Sequence, residues 1–264
     1  MGRISDAMVK AGGEDRAALI IYLCAGDPSL EATAALIRAA AEGGADIVEI
    51  GMPFSDPTAD GPAIQQASER ALKAGASLAG LLDVVRTVRA EGCDVPLLLF
   101  GYYNPILAMG EEALCERAAK AGIDGLLVVD LPMEEAEPLR DAASAKGLDW
   151  VPLVAPTSGM ERAERIALTA TGFVYYVSMT GVTGSKASDL EAAASRAAEL
   201  QRETHKPVAV GFGIREAADA SVVAAKASGV VVGSAVVRTI EREGANAPAA
   251  VRDQVAALAA GCKR

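Results

Sequence analysis

The segment Asp46-Ile47-Val48-Glu49-Ile50-Gly51 is an apolar run that carries one carboxylate near its end, and it leads into the loop Met52-Pro53-Phe54-Ser55-Asp56-Pro57-Thr58-Ala59-Asp60-Gly61-Pro62. The run has the length and the branched residues of a buried strand. Prolines stiffen the loop that follows, and glycines turn it. A carboxylate in a buried strand is costly without a partner, so Glu49 is a candidate functional residue.

The pattern of that segment repeats along the whole chain. Eight apolar runs of strand length alternate with Ala-rich, charged segments whose apolar residues recur at helical spacing. The runs cover residues 18–23, 46–51, 96–102, 125–130, 150–154, 173–178, 207–213 and 229–233. Most are continuous rather than alternating, which is typical of parallel strands covered on both faces. We predict an α/β fold, a single-domain (β/α)8 TIM barrel over residues 1–264, with a doubly wound sheet as the alternative.

Three features add to the plain barrel pattern. An extra N-terminal helix over residues 3–10 should cap one end of the core. Long loops follow strand 2 and strand 6, the second over residues 179–189. Loops after barrel strands lie on the C-terminal face, where active sites are built, so these two loops should surround the site.

Composition limits the functions that this chain can have. The 264 residues carry a net charge of -10, which argues against nucleic acid as a partner because phosphate backbones need a basic surface. No apolar run approaches the length of a membrane span, and the first residues lack the apolar core of a signal peptide. The four cysteines form no CxxC pair, so we expect reduced thiols and a cytoplasmic protein.

Several kinds of catalysis lack the residues that they need. His205 is the sole histidine and precedes a strand, so neither a catalytic zinc site nor a histidine-activated nucleophile is expected. No lysine lies within the eight runs, which disfavours a Schiff base. Carboxylate acid/base chemistry on a small phosphorylated molecule remains.

Glu49 and Asp60 are the candidate acid/base pair. Period two places Glu49 on the same face as Ile47, near the end of its strand, so it should face the top of the core. Burial should raise its pKa, whereas Asp60 lies in a polar loop and should stay ionised. The alternatives are that Glu49 forms a salt bridge to a helix and that Asp60 caps the helix after Gly61-Pro62.

Glycine-rich tips end the last three strands and predict a phosphate site. They are residues 181–185, 211–213 and 233–234. Glycines let backbone N–H groups approach an anion, and a helix that begins at Ser234 would point its positive end at the same place. For each glycine taken singly, a turn role is the alternative.

Five motifs together resemble the tryptophan synthase alpha chain family over essentially the whole length: residues 49–65, 100–105, 130–132, 181–184 and 211–214. The resemblance implies retro-aldol cleavage of indole-3-glycerol phosphate to indole and glyceraldehyde 3-phosphate. It implies that Glu49 protonates indole C3 and then accepts the proton of the glycerol hydroxyl. Asp60 would interact with the indole N–H, and Thr183 would hydrogen-bond to Asp60 when the loops close.

The same resemblance implies the remaining contacts. The phosphate would be held by Gly184, Phe212, Gly213, Gly233 and Ser234. The indole pocket would be lined by Tyr22, Phe100, Tyr102, Leu127 and Tyr175, with core packing as the alternative for each. No metal and no cofactor are expected in this chain. A PLP-dependent beta chain is the implied partner in an alpha2beta2 heterotetramer, facing Pro53, Asp56 and Asn104.

The sequence departs from the family pattern at three places and leaves other readings open. Thr58 stands where an apolar residue is common, Tyr22 where Phe is common, and Met179-Thr180 where Arg-Ala is common. A free-standing lyase of this family, a non-catalytic regulatory barrel subunit and a different phosphate-binding barrel enzyme are the alternatives. Retention of Glu49 and Asp60 disfavours the regulatory subunit, and the proline-rich loop disfavours the different enzyme.

Overall fold

A computed structural model describes residues 2–177, 186–211 and 213–264. Across these residues one sheet contains nine parallel strands, in the spatial order β5-β4-β3-β2-β1-β9-β8-β7-β6. The strands are β1 (Ala18–Cys24), β2 (Ile47–Gly51), β3 (Leu97–Gly101), β4 (Gly125–Val128), β5 (Asp149–Trp150), β6 (Leu153–Val154), β7 (Val174–Val177), β8 (Val208–Gly211) and β9 (Gly229–Val232).

The sheet closes on itself through the segment that contains β5 and β6. On one side Val151 N–H donates to the Leu126 carbonyl at 3.0 Å, and on the other Tyr175 N–H donates to the Pro152 carbonyl at 2.9 Å. The predicted fold class is therefore confirmed. The single fifth strand is corrected to two short strands, because Pro152 has no N–H to continue the hydrogen-bonded ladder.

Helices cover the outside of the barrel. They are α1 (Arg3–Gly13), α2 (Leu30–Glu42), α3 (Pro62–Lys73), α4 (Leu78–Ala90), α5 (Tyr103–Met109), α6 (Glu111–Ala121), α7 (Glu137–Ala145), α8 (Met160–Leu168), α9 (Lys186–Thr204), α10 (Ala217–Ala224), α11 (Ser234–Glu243) and α12 (Ala247–Gly261). Because α9 begins at Lys186, the predicted loop over 179–189 ends earlier than expected. Its residues 179–185 lie outside the described residues.

Side chains alternate between two hydrophobic clusters, as strand geometry requires. On β1, Ile20 and Tyr22 point into the barrel interior, whereas Leu19 and Ile21 point toward the helices. The apolar face of α1 belongs to the inner cluster through Ile4, Met8 and Ala11, so the extra helix plugs the N-terminal end of the barrel.

Two aspartates tie neighbouring strands together at this N-terminal end. Asp124 precedes β4, and its carboxylate accepts hydrogen bonds from Arg89 at 2.6 Å and from Leu97 N–H of β3 at 2.8 Å. Asp46 precedes β2 and accepts from Leu19 N–H of β1 at 2.8 Å and from both terminal nitrogens of Arg16. Each carboxylate neutralises an arginine and also accepts from a backbone N–H at the start of the neighbouring strand.

No helix in the described part of the chain combines the length and the hydrophobicity that a membrane crossing needs. That residues 1–264 form one domain stays a prediction.

We expect Asp124→Asn to lower the free energy of unfolding by about 2–3 kcal/mol, because the amide replaces a charged acceptor whose side chain is only 10% exposed. Urea unfolding measures the loss. Asp94→Asn is the matched control: its side chain is 89% exposed beside Arg3, so the change should be under about 0.5 kcal/mol. Equal losses of stability in the two variants would contradict the role of the Asp124 carboxylate in joining Arg89 and the start of β3.

Candidate active site

A cavity of about 190 Å³ opens at the carboxyl ends of the strands. Its walls come from strands and loops that are far apart in the sequence and meet because the barrel closes. The lining residues are Tyr22, Glu49, Asp60, Ile64, Phe100, Tyr175, Gly213, Ile214, Arg215, Val231, Gly233, Ser234, Ala235 and Arg238.

Glu49 lies at the floor of this cavity. It follows Ile47 on the inner face of β2 and is 1% exposed. Its Oε1 atom has no hydrogen-bond partner among the described residues. Burial raises the pKa of Glu49 to about 8, because a charged carboxylate is disfavoured where water cannot reach it. The side chain is therefore mostly protonated at neutral pH, and no salt bridge to a helix is formed within the described part of the chain.

Asp60 lies across the cavity, in the loop after β2, and is the less buried of the two acids. Its Oδ2 atom accepts a hydrogen bond from the Tyr102 hydroxyl at 3.0 Å, and that hydroxyl also accepts from Ala59 N–H at 3.0 Å. Burial raises the pKa of Asp60 to about 6, and the Tyr102 hydrogen bond opposes the rise. Gly61, rather than Asp60, is the N-cap residue of α3.

Aromatic side chains form the wall between the acids. The rings of Tyr22 and Phe100 meet edge to face with centroids 5.3 Å apart. A Cβ atom at Gly51 would overlap the Tyr22 hydroxyl, and one at Gly211 would overlap the Tyr175 hydroxyl. These two glycines give the tyrosine rings room to lie across the strand ends.

The cavity lining also includes two glycine-rich tips, and one of them, at Gly233, lies against the Tyr22 side chain. Gly213 has φ 82°, a left-handed conformation that favours glycine, and Gly233 is the N-cap residue of α11. Ser234 begins that helix, so its first N–H groups and positive end face the cavity. Thr183, Gly184 and Phe212 lie outside the described residues.

Comparisons with known proteins agree with this arrangement. Residues 8–263 match the family model described as tryptophan synthase alpha chain. The chain belongs to this family. The tryptophan synthase alpha chains of Geobacter sulfurreducens and Nitrosococcus oceani are 51% and 46% identical to it, over 92% and 98% of this chain and 91% and 95% of theirs.

Solved structures of tryptophan synthase chains have the same fold as this chain. Tryptophan synthase subunit alpha from Legionella pneumophila superposes with a TM-score of 0.89 at 35% identity, covering 99% of this chain and 98% of that one. A chain of tryptophan synthase from M. tuberculosis, in its aminoacrylate-bound form, gives a TM-score of 0.89 at 34% identity with both chains fully covered.

The fold brings most of the site residues predicted from the sequence to the cavity lining, and others lie outside that lining. Eight of them line the cavity: Tyr22, Glu49, Asp60, Phe100, Tyr175, Gly213, Gly233 and Ser234. Tyr102 does not line it and instead hydrogen-bonds to Asp60. Leu127 is fully buried in the inner cluster, away from the lining. The roles of all these residues stay predictions.

The sequence interpretation missed six lining residues: Ile64, Ile214, Arg215, Val231, Ala235 and Arg238. For two of these residues, the spacing in the sequence could have identified them as lining residues. Arg215 follows Gly213 by two residues in the loop after β8, and Arg238 follows Ser234 by four residues on α11. Spacing of four places two helical residues on one face, so Arg238 could have been assigned beside Ser234.

The residues predicted to face the beta chain differ in exposure. Asp56 and Asn104 are exposed, whereas Pro53 is buried within this chain. No group of three or more His, Cys, Asp or Glu side chains suited to a metal is found in the ranges that the structure covers.

We expect Glu49→Gln to stabilise this alpha-chain family member increasingly as the pH rises. The folded chain holds the Glu49 proton up to a pKa of about 8, whereas the unfolded chain loses it near the ordinary value of 4.5. Wild-type stability is therefore lost between these two pH values, and the glutamine avoids the loss. The variant should gain on the order of 3 kcal/mol by pH 7 and little at pH 4.5.

Chemical denaturation of both proteins from pH 4.5 to 8.5 measures this difference. Glu42→Gln removes an exposed carboxyl at the end of α2 and is the control, with no pH-dependent gain expected. A flat difference for Glu49→Gln would mean that the carboxyl is solvated in the folded protein.

Proposed function

We propose that this chain cleaves indole-3-glycerol phosphate to indole and glyceraldehyde 3-phosphate, the lyase reaction of a tryptophan synthase alpha subunit. One observation supports the proposal most strongly. A buried carboxyl, with a raised pKa and an oxygen that no described residue hydrogen-bonds, shares a cavity with a second, less buried carboxylate. The cavity is also lined by aromatic rings and by a helix N-terminus, which suits an indole joined to a phosphate ester.

Glu49 supplies the proton that makes the carbon–carbon bond breakable. Because it is protonated at neutral pH, it can donate to C3 of the indole ring, which leaves positive charge on the ring nitrogen. The glycerol hydroxyl then gives its proton to the Glu49 carboxylate while the bond between C3 and the glycerol carbon breaks. The bonding electrons return to the ring, indole and the aldehyde form, and Glu49 ends protonated as it began.

Asp60 acts as the ionised partner in this proposal. Its carboxylate accepts a hydrogen bond from the indole N–H and stabilises the charge that develops there. The Tyr102 hydroxyl fixes the Asp60 carboxylate and the loop at once, because it bonds to both Asp60 Oδ2 and Ala59 N–H. Thr183 would complete the contact on loop closure, which would also exclude water.

In this proposal, different residues of the cavity contact the phosphate and the indole ring. Gly213, Gly233 and Ser234, with Gly184 and Phe212, would hold the phosphate through backbone N–H groups. Tyr22, Phe100 and Tyr175 would contact the indole ring. The substrate provides its own electron sink, so the chain needs no metal and no cofactor of its own for this reaction.

A PLP-dependent beta chain is the proposed partner, with an alpha2beta2 heterotetramer in the cytoplasm as the working assembly. The relatives from M. tuberculosis carry the name tryptophan synthase. Around Asn104 the surface offers an apolar contact, since Leu107 of α5 is 58% exposed. Asp56, in the loop that also carries Asp60, would place the partner next to the active site.

We expect Glu49→Gln to abolish indole release while substrate binding persists, because glutamine keeps the shape and loses the proton. Asp60→Asn should lower kcat by roughly a hundredfold or more through lost charge stabilisation. Indole release, substrate calorimetry and melting curves on the same preparations measure these effects. Near-normal turnover in Glu49→Gln would contradict its role, and a loss explained by unfolding would make Asp60 a structural residue.

The dependence of kcat/KM on pH should be bell-shaped. Asp60 must be ionised, so activity should rise through about pH 6; Glu49 must be protonated, so activity should fall through about pH 8. Steady-state rates from pH 5 to 9 measure both limbs. A profile that keeps rising above pH 8 would show that Glu49 acts first as a base.

Mixing the pure protein with indole-3-glycerol phosphate, with and without a beta chain, tests the whole proposal. Slow indole release that a beta chain accelerates supports the two-chain synthase. Full activity alone would indicate a free-standing lyase, and absence of indole in both mixtures would refute the reaction.

A further inference from the structure

The proposed substrate presents an electrostatic problem to this protein. Its phosphate ester carries about two negative charges at neutral pH, and the chain has a net charge of -10. Backbone N–H groups at the glycine tips offer partial charges only. A dianion would bind more tightly if full positive charges stood beside those amides.

Two arginines stand in that position. Arg215 and Arg238 both line the catalytic cavity, and they reach it from different elements. Arg215 lies in the loop after β8, two residues beyond Gly213. Arg238 lies on α11, one helical turn beyond Ser234 and on the same face. Each arginine therefore follows one of the two tips that are proposed to bind the anion and lines the same cavity.

Among the described residues, neither guanidinium is committed to a protein partner. Within residues 2–177, 186–211 and 213–264, neither side chain forms a salt bridge or a hydrogen bond. Two carboxylates close to them in sequence accept hydrogen bonds from other groups: Asp219 accepts from the backbone N–H of Arg215 at 2.8 Å, and Glu241 accepts from Arg70 at 2.8 Å.

Other arginines of this chain behave differently. Arg16 and Arg89 are held by Asp46 and Asp124 at 2.6 Å, where they join structural elements. An arginine at a cavity wall without such a partner keeps its planar set of donors available for a ligand. That set matches the oxygens of a phosphate group, to which it can donate two parallel hydrogen bonds.

We propose that Arg215 and Arg238 bind the phosphate ester of the substrate from the two sides of the glycine tips. The inference rests on the proposed function for the identity of the substrate, and it adds two side chains to a site otherwise made of backbone groups. Because the phosphate is remote from the bond that breaks, both arginines should contribute to binding and not to the chemical step.

The test compares Arg215→Gln, Arg238→Gln and the double variant with wild type. Each single change should raise KM for indole-3-glycerol phosphate roughly tenfold and leave kcat within about twofold. Calorimetry with glycerol 3-phosphate, which lacks the indole, should show the same weakening of Kd. Arg238→Lys should recover part of the affinity because it restores the charge without the planar fork.

Arg117→Gln is the matched control. Arg117 is an exposed arginine of α6 that does not line the cavity, so its removal changes the net charge equally. Raising the ionic strength should weaken glycerol 3-phosphate binding more in wild type than in the double variant. Melting temperatures should stay unchanged, since both arginines are exposed.

The outcomes separate this inference from the proposed function. If Kd and KM of the arginine variants stay within twofold of wild type and of Arg117→Gln, the phosphate role is wrong. A fall in kcat at unchanged KM would also overturn it. If no protein releases indole and the arginine variants still lose glycerol 3-phosphate binding, the phosphate site stands and the proposed reaction fails.

Discussion

Every strand of this barrel is buried on both faces, so each side chain must enter either the barrel interior or the layer beneath the helices. Apolar residues satisfy both choices, which is why the strands read as continuous apolar runs. Glu49 is the exception on β2. Its position two residues after Ile47 places it inside, near the strand end, where its Oε1 atom lacks a hydrogen-bond partner among the described residues and the carboxyl keeps its proton. The same exclusion of water that accompanies a packed barrel thus leaves a carboxyl that is mostly protonated at neutral pH.

The two acids differ because they stand on different kinds of structure. Glu49 is held by a strand and is buried, whereas Asp60 belongs to a loop and accepts a hydrogen bond from the Tyr102 hydroxyl. The strand ends themselves are held from below, where Asp46 and Asp124 join neighbouring strands and arginines. Rigid strands with adjustable loops above them suit a reaction in which the loops close over a substrate.

Several structural elements could be predicted from the local sequence pattern. Where a sequence prediction was wrong or incomplete, there is a physical cause. The eight runs and the alternation on β2 indicated the barrel and the inward face of Glu49. The split of the fifth strand was missed because the consequence of Pro152 depends on which neighbours need its N–H. The indole-pocket roles of Leu127 and Tyr102 stay predictions: Leu127 belongs to the inner cluster, and the Tyr102 hydroxyl donates to Asp60. Arg215 and Arg238 look like ordinary surface charges until barrel closure brings the loop after β8 and helix α11 to the same cavity.

Residue order alone determined the strands, their two faces, the glycine-rich tips and the family to which the chain belongs, because these depend on local spacing and on side-chain type. Residue order could not determine how far each acid is exposed to solvent, which hydroxyl donates to Asp60, or which arginines line the cavity with Ser234. Those properties depend on distances between groups remote along the chain, and closing the ring of strands is what sets such distances. Burial and charge at the site are therefore properties of the folded barrel, although every residue that carries them can be read in the sequence.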